Sequence, residues 1–435
     1  MKPARLWSHV ACLLGLGWAC SGGASPSILI TNLPNYGSLS NLSGVVLGAE
    51  PATARVAVFI YVPGAGWWSE PTCAQPLTPI QTNGSWIADI TTGGTDQLAT
   101  RVAALLVGTN YDEPCVQGLN FLPTNVFARA LAKTVVSRAR PGVRWVSFSG
   151  YDWWVKSSAG TVGPGPNFFS DSTNNVWVDP AGQLHVRITN RSNAWQCAEL
   201  VSARTFGYGS YRFELNSRVD NLDPNVVLGL FTWSDDPVFA YRELDVECSR
   251  FGNATDPNRA QFVVQPYYLP GHLARYPVSA GLTNSTHWFT WEQDRVSFHA
   301  VRGSYSPSPP LVAIITNWTY TLTVPETGDE NVRINLWLVN GSPPTDHQEI
   351  EIILKSFQFV PPGLRPAATL TNASARPDGR FQFLISTQPD WRYAVRASTN
   401  LADWQDMVTL LATNTVMEYS ETGARTRFFR TATLP

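Results

Sequence analysis

Short runs of alternating or β-branched residues, cut every few positions by Gly, Pro, Asn or Asp, confine this chain to an all-β fold. Ala54 to Tyr61 reads Ala-Arg-Val-Ala-Val-Phe-Ile-Tyr, and the stretches 183–188, 210–215 and 333–339 are of the same kind. A period of two puts successive side chains on opposite faces of a strand, and short runs bounded by turn residues read as strands of a sandwich or barrel. Helical patterning is scarce, and 32 Gly and 32 Pro in 435 residues suit frequent turns. No repeat of fixed period marks a solenoid.

Composition divides the chain. A first strand-rich module is expected over 26–125, ending near Leu122-Pro123-Thr124, and a stretch with Arg138, Arg140 and Pro141 reads as a linker. A long middle module runs over 143–361 and stops at Val360-Pro361-Pro362-Gly363, because two prolines cannot continue a central strand. A small last module of strands and turns covers 364–435. The N-terminus, residues 1–24, reads as an export signal: Lys2 and Arg5, an apolar stretch to about Trp18, then small residues. The alternative is an outer-membrane lipoprotein anchored through Cys20, although Gly17 and Trp18 stand where such signals usually place Leu and a small residue. No later apolar run reaches the roughly 18 residues needed to cross a bilayer. The expectation is an exported protein, extracellular or periplasmic. Export permits disulfides. Cys73 with Cys115 is the first pairing expected and Cys197 with Cys248 the second. The cysteine and histidine spacings are not those of a metal site.

Charge narrows the partners. Charged residues are 15% of the chain, below the usual figure of about 25%, and the net charge is −2. No basic field exists to draw nucleic acid or anionic lipid. Neutral ligands remain, of which sugars are the commonest large ones. Most of the 17 Trp must fill sandwich cores, but a minority can line a groove where flat rings meet pyranose faces. No cofactor is expected, since no Gly-rich phosphate loop opens a βα unit and no nucleophilic-serine elbow is present.

The middle module holds Tyr241-Arg242-Glu243-Leu244-Asp245-Val246-Glu247. Alternation places Glu243, Asp245 and Glu247 on one strand face and turns Leu244 and Val246 into a core. Chance predicts roughly 0.2 such patterns in a chain of this acidity, so the triplet alone is a weak motif. Its ordinary reading is a solvated strand face. Against that, three carboxylates on adjacent same-face positions repel one another. The geometry suits glycosidic bond cleavage. Four residues of strand span roughly 13 Å, and side chains leaning together bring two carboxyls toward the 5–5.5 Å or so of a retaining glycosidase. One acid must be ionised and the other protonated, and Asp245 between them is expected to raise the pKa of one neighbour.

Here the residues resemble a known family. Gly207-Tyr208-Gly209-Ser210-Tyr211-Arg212-Phe213-Glu214 resembles the Y-G-x-Y/F strand of glycoside hydrolase family 16. Leu228-Gly229-Leu230-Phe231-Thr232-Trp233 is similar to its cleft strand, and Glu243-Leu244-Asp245-Val246-Glu247 to its E-[IL]-D-x-E signature. His287-Trp288-Phe289-Thr290-Trp291 and Ile334-Asn335-Leu336-Trp337 resemble later strands. Order and spacing agree across nearly the whole middle module. The resemblance implies a β-jelly-roll of two antiparallel sheets with a concave substrate cleft; the first module separately looks like an immunoglobulin-like β-sandwich. It implies Glu243 as nucleophile, Glu247 as general acid/base and Asp245 as assisting carboxylate. Trp233 and Trp337 would line the groove, Tyr241 would stand where relatives often carry a stacking Trp, and Asn167, Glu199 and Gln265 would hold substrate or line the cleft.

The function expected is a secreted, monomeric retaining endo-glycosidase acting on a β-linked polysaccharide. The spacing without an extra residue between Asp245 and Glu247 favours a β-glucan, with β-1,3-glucan or galactan as the alternative. A non-catalytic glycan-binding protein on the same scaffold and a transglycosylase are the competing readings. In the first module Trp67-Trp68 suggests either a glycan-binding hairpin or core packing. No chemistry is assigned to the last module, with Trp404 and Phe428-Phe429-Arg430.

Overall fold

Alternating apolar residues in the middle of the chain pair into two antiparallel sheets that close on one core. The structure is a computed structural model that describes residues 26–239, 241–304, 309, 311–362 and 368–434, apart from 377, 379, 388–391, 401–402, 413–415 and 423–426. Residues 1–24 and Cys20 lie outside the described residues.

One sheet runs in the order Trp145–Phe148, Tyr151–Val155, Ala194–Thr205, Asn331–Leu338, Val226–Trp233, Leu244–Cys248, Ala260–Val264 and Leu273–Tyr276. The other runs Val176–Val178, Leu184–Arg191, Ile350–Val360, Gly209–Leu215, Ser285–Trp291 and Val296–Arg302. The inward residues of both sheets, among them Leu228, Leu230, Leu244, Val246, Phe262, Ile334, Phe213, Phe289 and Phe298, form one core. The fold is an all-β jelly-roll sandwich. Of the first sheet, the face turned from this core carries Glu243, Asp245 and Glu247.

Residues 27–137 form a second sandwich. Ser27–Asn32, Leu42–Leu47 and Ser85–Ala88 make a three-stranded sheet. Ala54–Val62 and Arg101–Gly108 pair centrally in the sheet opposite, flanked by Gly66–Glu70 and by Ala132–Ser137. One core lies around Leu42, Val58, Ile60, Trp86 and Val102, and a second around Phe59, Trp67, Leu105 and Phe127. Trp67 is 2% exposed under the Arg101 guanidinium, 5.2 Å from its ring centre, so core packing and not a glycan-binding hairpin accounts for it. The stretch around Arg138 is no open linker. A short helix, Thr124–Ala128, and the strand Ala132–Ser137 precede it. Buried Arg138 itself bonds the carbonyls of Pro34, Asn35 and Ala99. A long cationic side chain hydrogen-bonded at three backbone sites cannot serve as a hinge.

Cys73 and Cys115 form a disulfide, as expected. Cys197 and Cys248 do not: both are free and buried. Each is the inward residue of a strand in the sandwich core, where a thiol acts as a small apolar group.

Gly23–Gly303 and Ile315–Pro362 make one compact unit. The strands after Thr369 belong to a second. There, Arg380–Ser386 sits between Thr369–Ala375 and Val416–Thr422, and Arg392–Ser398 between Gln405–Leu411 and Phe428–Leu434. Phe383, Ile385, Tyr393 and Val395 fill its core. No helix of the described residues is long and apolar enough to cross a membrane.

Candidate active site

The acidic strand pairs in unbroken register with both neighbours: Glu247 opposes Gly229 and Gln261, and Asp245 opposes Phe231 and Val263. Residues directly opposite in an antiparallel pair share a face. Glu199, Asn335, Gly229, Glu247, Gln261 and Arg275 therefore form one row across the outward face. Arg333, Phe231, Asp245 and Val263 form the next. Gly229 is required by this layout, because a Cβ there would fall 2.4 Å from Asn335 Oδ1.

Glu243 precedes the strand and is fixed from both sides. Buried Thr232 donates its hydroxyl to the Arg242 carbonyl at 2.9 Å and accepts the Leu244 N–H at 3.1 Å. The Glu243 carbonyl accepts the Gln265 N–H at 3.1 Å. Gln265 also donates its amide to Asp245 Oδ2 at 3.1 Å and accepts the Tyr267 N–H at 2.9 Å. Gln261 donates its amide to Glu247 Oε2 at 2.7 Å.

All three acids hold their protons more tightly than free carboxylic acids. Burial, then the neighbouring Glu247 charge, pushes Glu243 up to about 8. Burial, then the charges of Glu243 and Glu247, holds Asp245 well above the usual carboxylate range. Asp245 is the protonated member and donates a hydrogen bond to Glu243, which favours the ionised form of Glu243. Asp245 thus acts on Glu243 in the sense opposite to the rise expected from sequence, because it is neutral. Burial pushes Glu247 up to about 7, against the opposing effects of the Gln261 amide and Arg275. Glu243 and Glu247 are half-buried, whereas Asp245 is buried.

The remaining candidates separate. Trp233 is half-buried on the same face as Phe231, its Nε1 donating to Asp235 at 3.2 Å and its ring 5.9 Å from the Arg333 guanidinium. Trp337 is half-buried and packs partly against the core. Tyr241 is exposed and hydrogen-bonded to Tyr268. Glu199 is not free to hold sugar hydroxyls. It is 1% exposed, with Lys156 at 3.0 Å on Oε2 and Arg333 at 3.2 Å on Oε1. A buried carboxylate needs such partners, and they occupy its oxygens. Asn167 is likewise turned inward, its amide donating to the carbonyls of Pro164 and Leu338, both at 2.8 Å. It closes a loop instead of facing a ligand.

Gln261, Arg275 and Arg333 were missed by sequence reasoning, and so were Tyr267 and Tyr268, 61% and 67% exposed beside Gln265. The tyrosines had a signal: an aromatic pair set between Pro266 and Pro270 cannot be a central strand. The charges had none, because their roles depend on cross-strand register.

No family profile and no curated protein matches the chain. Among solved structures it is similar to a β-glucanase of Bacillus licheniformis, with 18% identity, a TM-score of 0.38 and coverage of 51% of this chain and 99% of that one. A prokaryotic β-1,3-1,4-glucanase (lichenase) derived from a mouse hindgut metagenome gives 18% identity, a TM-score of 0.37 and coverage of 50% and 99%. An immunostimulatory antigen and pseudo β-1,3-glucanase of Mycobacterium tuberculosis gives 18%, 0.37 and coverage of 47% and 88%.

Proposed function

We propose that this protein is a retaining endo-glycosidase that cleaves a β-linked polysaccharide, with Glu243 as nucleophile and Glu247 as general acid/base. The carrying observation is the acidic strand, with Asp245 and Glu247 on one outward face and Glu243 at its entry, close enough that burial and mutual charge raise all three carboxyls. In the first step a Glu243 oxygen bonds to the anomeric carbon, the glycosidic C–O bond breaks, and Glu247 gives its proton to the leaving oxygen. In the second, Glu247 takes a proton from water as that water displaces Glu243. The hydrogen bond from protonated Asp245 stabilises the negative charge that returns to Glu243 when its bond to the sugar breaks. Gln261 and Arg275 stabilise Glu247 while it is the base. Tyr241, Tyr267 and Tyr268 offer exposed rings, and Trp233 a half-buried one, for stacking on sugar faces.

A β-glucan is the favoured substrate, supported by the unbulged spacing and register of the acidic strand. Capture of the glycosyl intermediate by a second sugar instead of water is the same first step with a different acceptor. We place the protein outside the cytoplasm on the strength of its N-terminal pattern, with the flanking β modules as accessory parts of one exported chain. The test is a panel of β-glucans, galactans and xyloglucan, read as new reducing ends and product sizes. Wild type is expected to cut at least one, and Glu243→Ala and Glu247→Ala each to lose at least about 100-fold in rate. A folded wild-type protein that binds these polymers but cuts none would support the non-catalytic reading.

A further inference from the structure

The residue before Glu243 is held by groups of its own sandwich and reached by one ring of the first. Arg242 is 5% exposed. Its Nε donates to the Glu326 carbonyl at 2.7 Å, and its Nη1 lies 3.7 Å from Asp329 Oδ1. The guanidinium stands 3.5 Å from the Phe239 ring centre and 5.9 Å from that of Phe127. Gly328 leaves the space for it, since a Cβ there would fall 1.8 Å from Nη1. Phe127 comes from the helix Thr124–Ala128 of the first sandwich.

The same sandwich supplies two cations. Arg101 Nη2 pairs with Asp329 Oδ2 at 3.1 Å, and Lys133 Nζ donates to the Thr327 carbonyl. Ser234 donates to the other oxygen of Asp329 at 2.6 Å. The backbones also join: the Val135 N–H donates to Thr205 Oγ1 at 2.9 Å, and Val136 pairs with Arg204 at the end of the strand that bears Glu199. All of these residues lie in one compact unit.

A guanidinium stripped of water holds its place only while its counter-charge does. Asp329 serves Arg242 and Arg101 together, so loss of Arg101 changes what Asp329 offers Arg242. Thr232 then carries any shift onward, because its one hydroxyl bonds the residues on both sides of Glu243. We propose that residues 27–137 are a positioning module for the acidic strand, with Arg101, through Asp329 and Arg242, and Lys133, through the Thr327 carbonyl beside the Glu326 carbonyl that Arg242 bonds, as positioning residues for Glu243. Its kinetic consequence rests on the glycosidase reading; its structural consequence does not.

The experiment uses the full chain as wild type, Arg101→Ala, Lys133→Met and Arg101→Lys, with hydrogen exchange followed by mass spectrometry. Arg101→Ala and Lys133→Met are expected to speed exchange about tenfold in both Ala132–Ser137 and Leu244–Cys248, with Arg101→Lys restoring most of the protection. On the polysaccharide that wild type cuts, kcat falls about tenfold while KM stays within about twofold. Faster exchange confined to the first sandwich, with Leu244–Cys248 unchanged, overturns the proposal. A loss confined to KM overturns it too, because it assigns the module to substrate binding. If wild type cuts nothing, the glycosidase reading fails and the exchange data alone decide the positioning role.

Discussion

Glu243 and Glu247 share one ionisable site more than they own two. Their protons leave with midpoints of about 8 and about 7, which belong to the pair. Double displacement needs Glu243 charged and Glu247 protonated; the higher value of Glu243 leaves the proton of the singly ionised pair mainly on Glu243, so the productive arrangement is the minor form of that pair, favoured by the Asp245 hydrogen bond and most populated between those two values. Below about 7 both carboxyls of the pair are protonated and neither can attack; above about 8 both are ionised and neither can donate a proton. The kcat/KM profile is therefore expected to be a bell with its maximum between about pH 7 and 8; a maximum near pH 5 would contradict the site electrostatics. At this scale the sequence was a partial guide. It placed three acids on one face, since alternation requires it. It misjudged Glu199, because nothing local distinguishes a carboxylate paired with Lys156, 43 residues away, and Arg333, 134 residues away, from one open to a ligand. Asn167 was misjudged for the same reason, its partner Leu338 being 171 residues distant.

The strand is the unit that turns these residues into a surface. Leu244, Val246 and Cys248 point into the core and the acids point out, as the pattern of the segment dictates. Register was not legible, since pairing Gly229 with Asn335 on one side and Glu247 on the other is fixed by contacts across the sheet. That pairing makes a prediction. Gly229→Ala drives a methyl group into Asn335 Oδ1 and is expected to cost about 1–3 kcal/mol of stability. Activity should fall by at least about tenfold at temperatures where the variant is still folded. A folded Gly229→Ala protein with wild-type turnover would show that the row of side chains is not part of the site.

At the scale of the molecule, the sequence marked all-β modules and a neutral surface from turn residues and charge. It took the stretch at Arg138 for a spacer, since a buried arginine bonded to backbone carbonyls looks like any other arginine in a sequence. The first sandwich also carries its own pH sensitivity. Burial pushes Glu70 up to about 8, and Glu113 up to about 8, from an ordinary value of 4.5. Each group binds its proton more tightly folded than unfolded. Stability is thus fully present at low pH with respect to these two acids and is lost as pH rises from about 4.5 through 8. Thermal unfolding of wild type is expected to fall in temperature across that window, and the Glu70→Gln, Glu113→Gln double variant to flatten the trend. An unchanged slope would place the source elsewhere.

Double displacement at this site requires Glu243 to attack an anomeric carbon while Glu247 supplies a proton. Proton NMR of the first product released from a β-glucan by the intact protein tests that requirement most directly. The β-anomer, appearing first and mutarotating later, with no product from Glu243→Ala, is the predicted result. An α-anomer released first, or wild-type release surviving in Glu243→Ala, would contradict it.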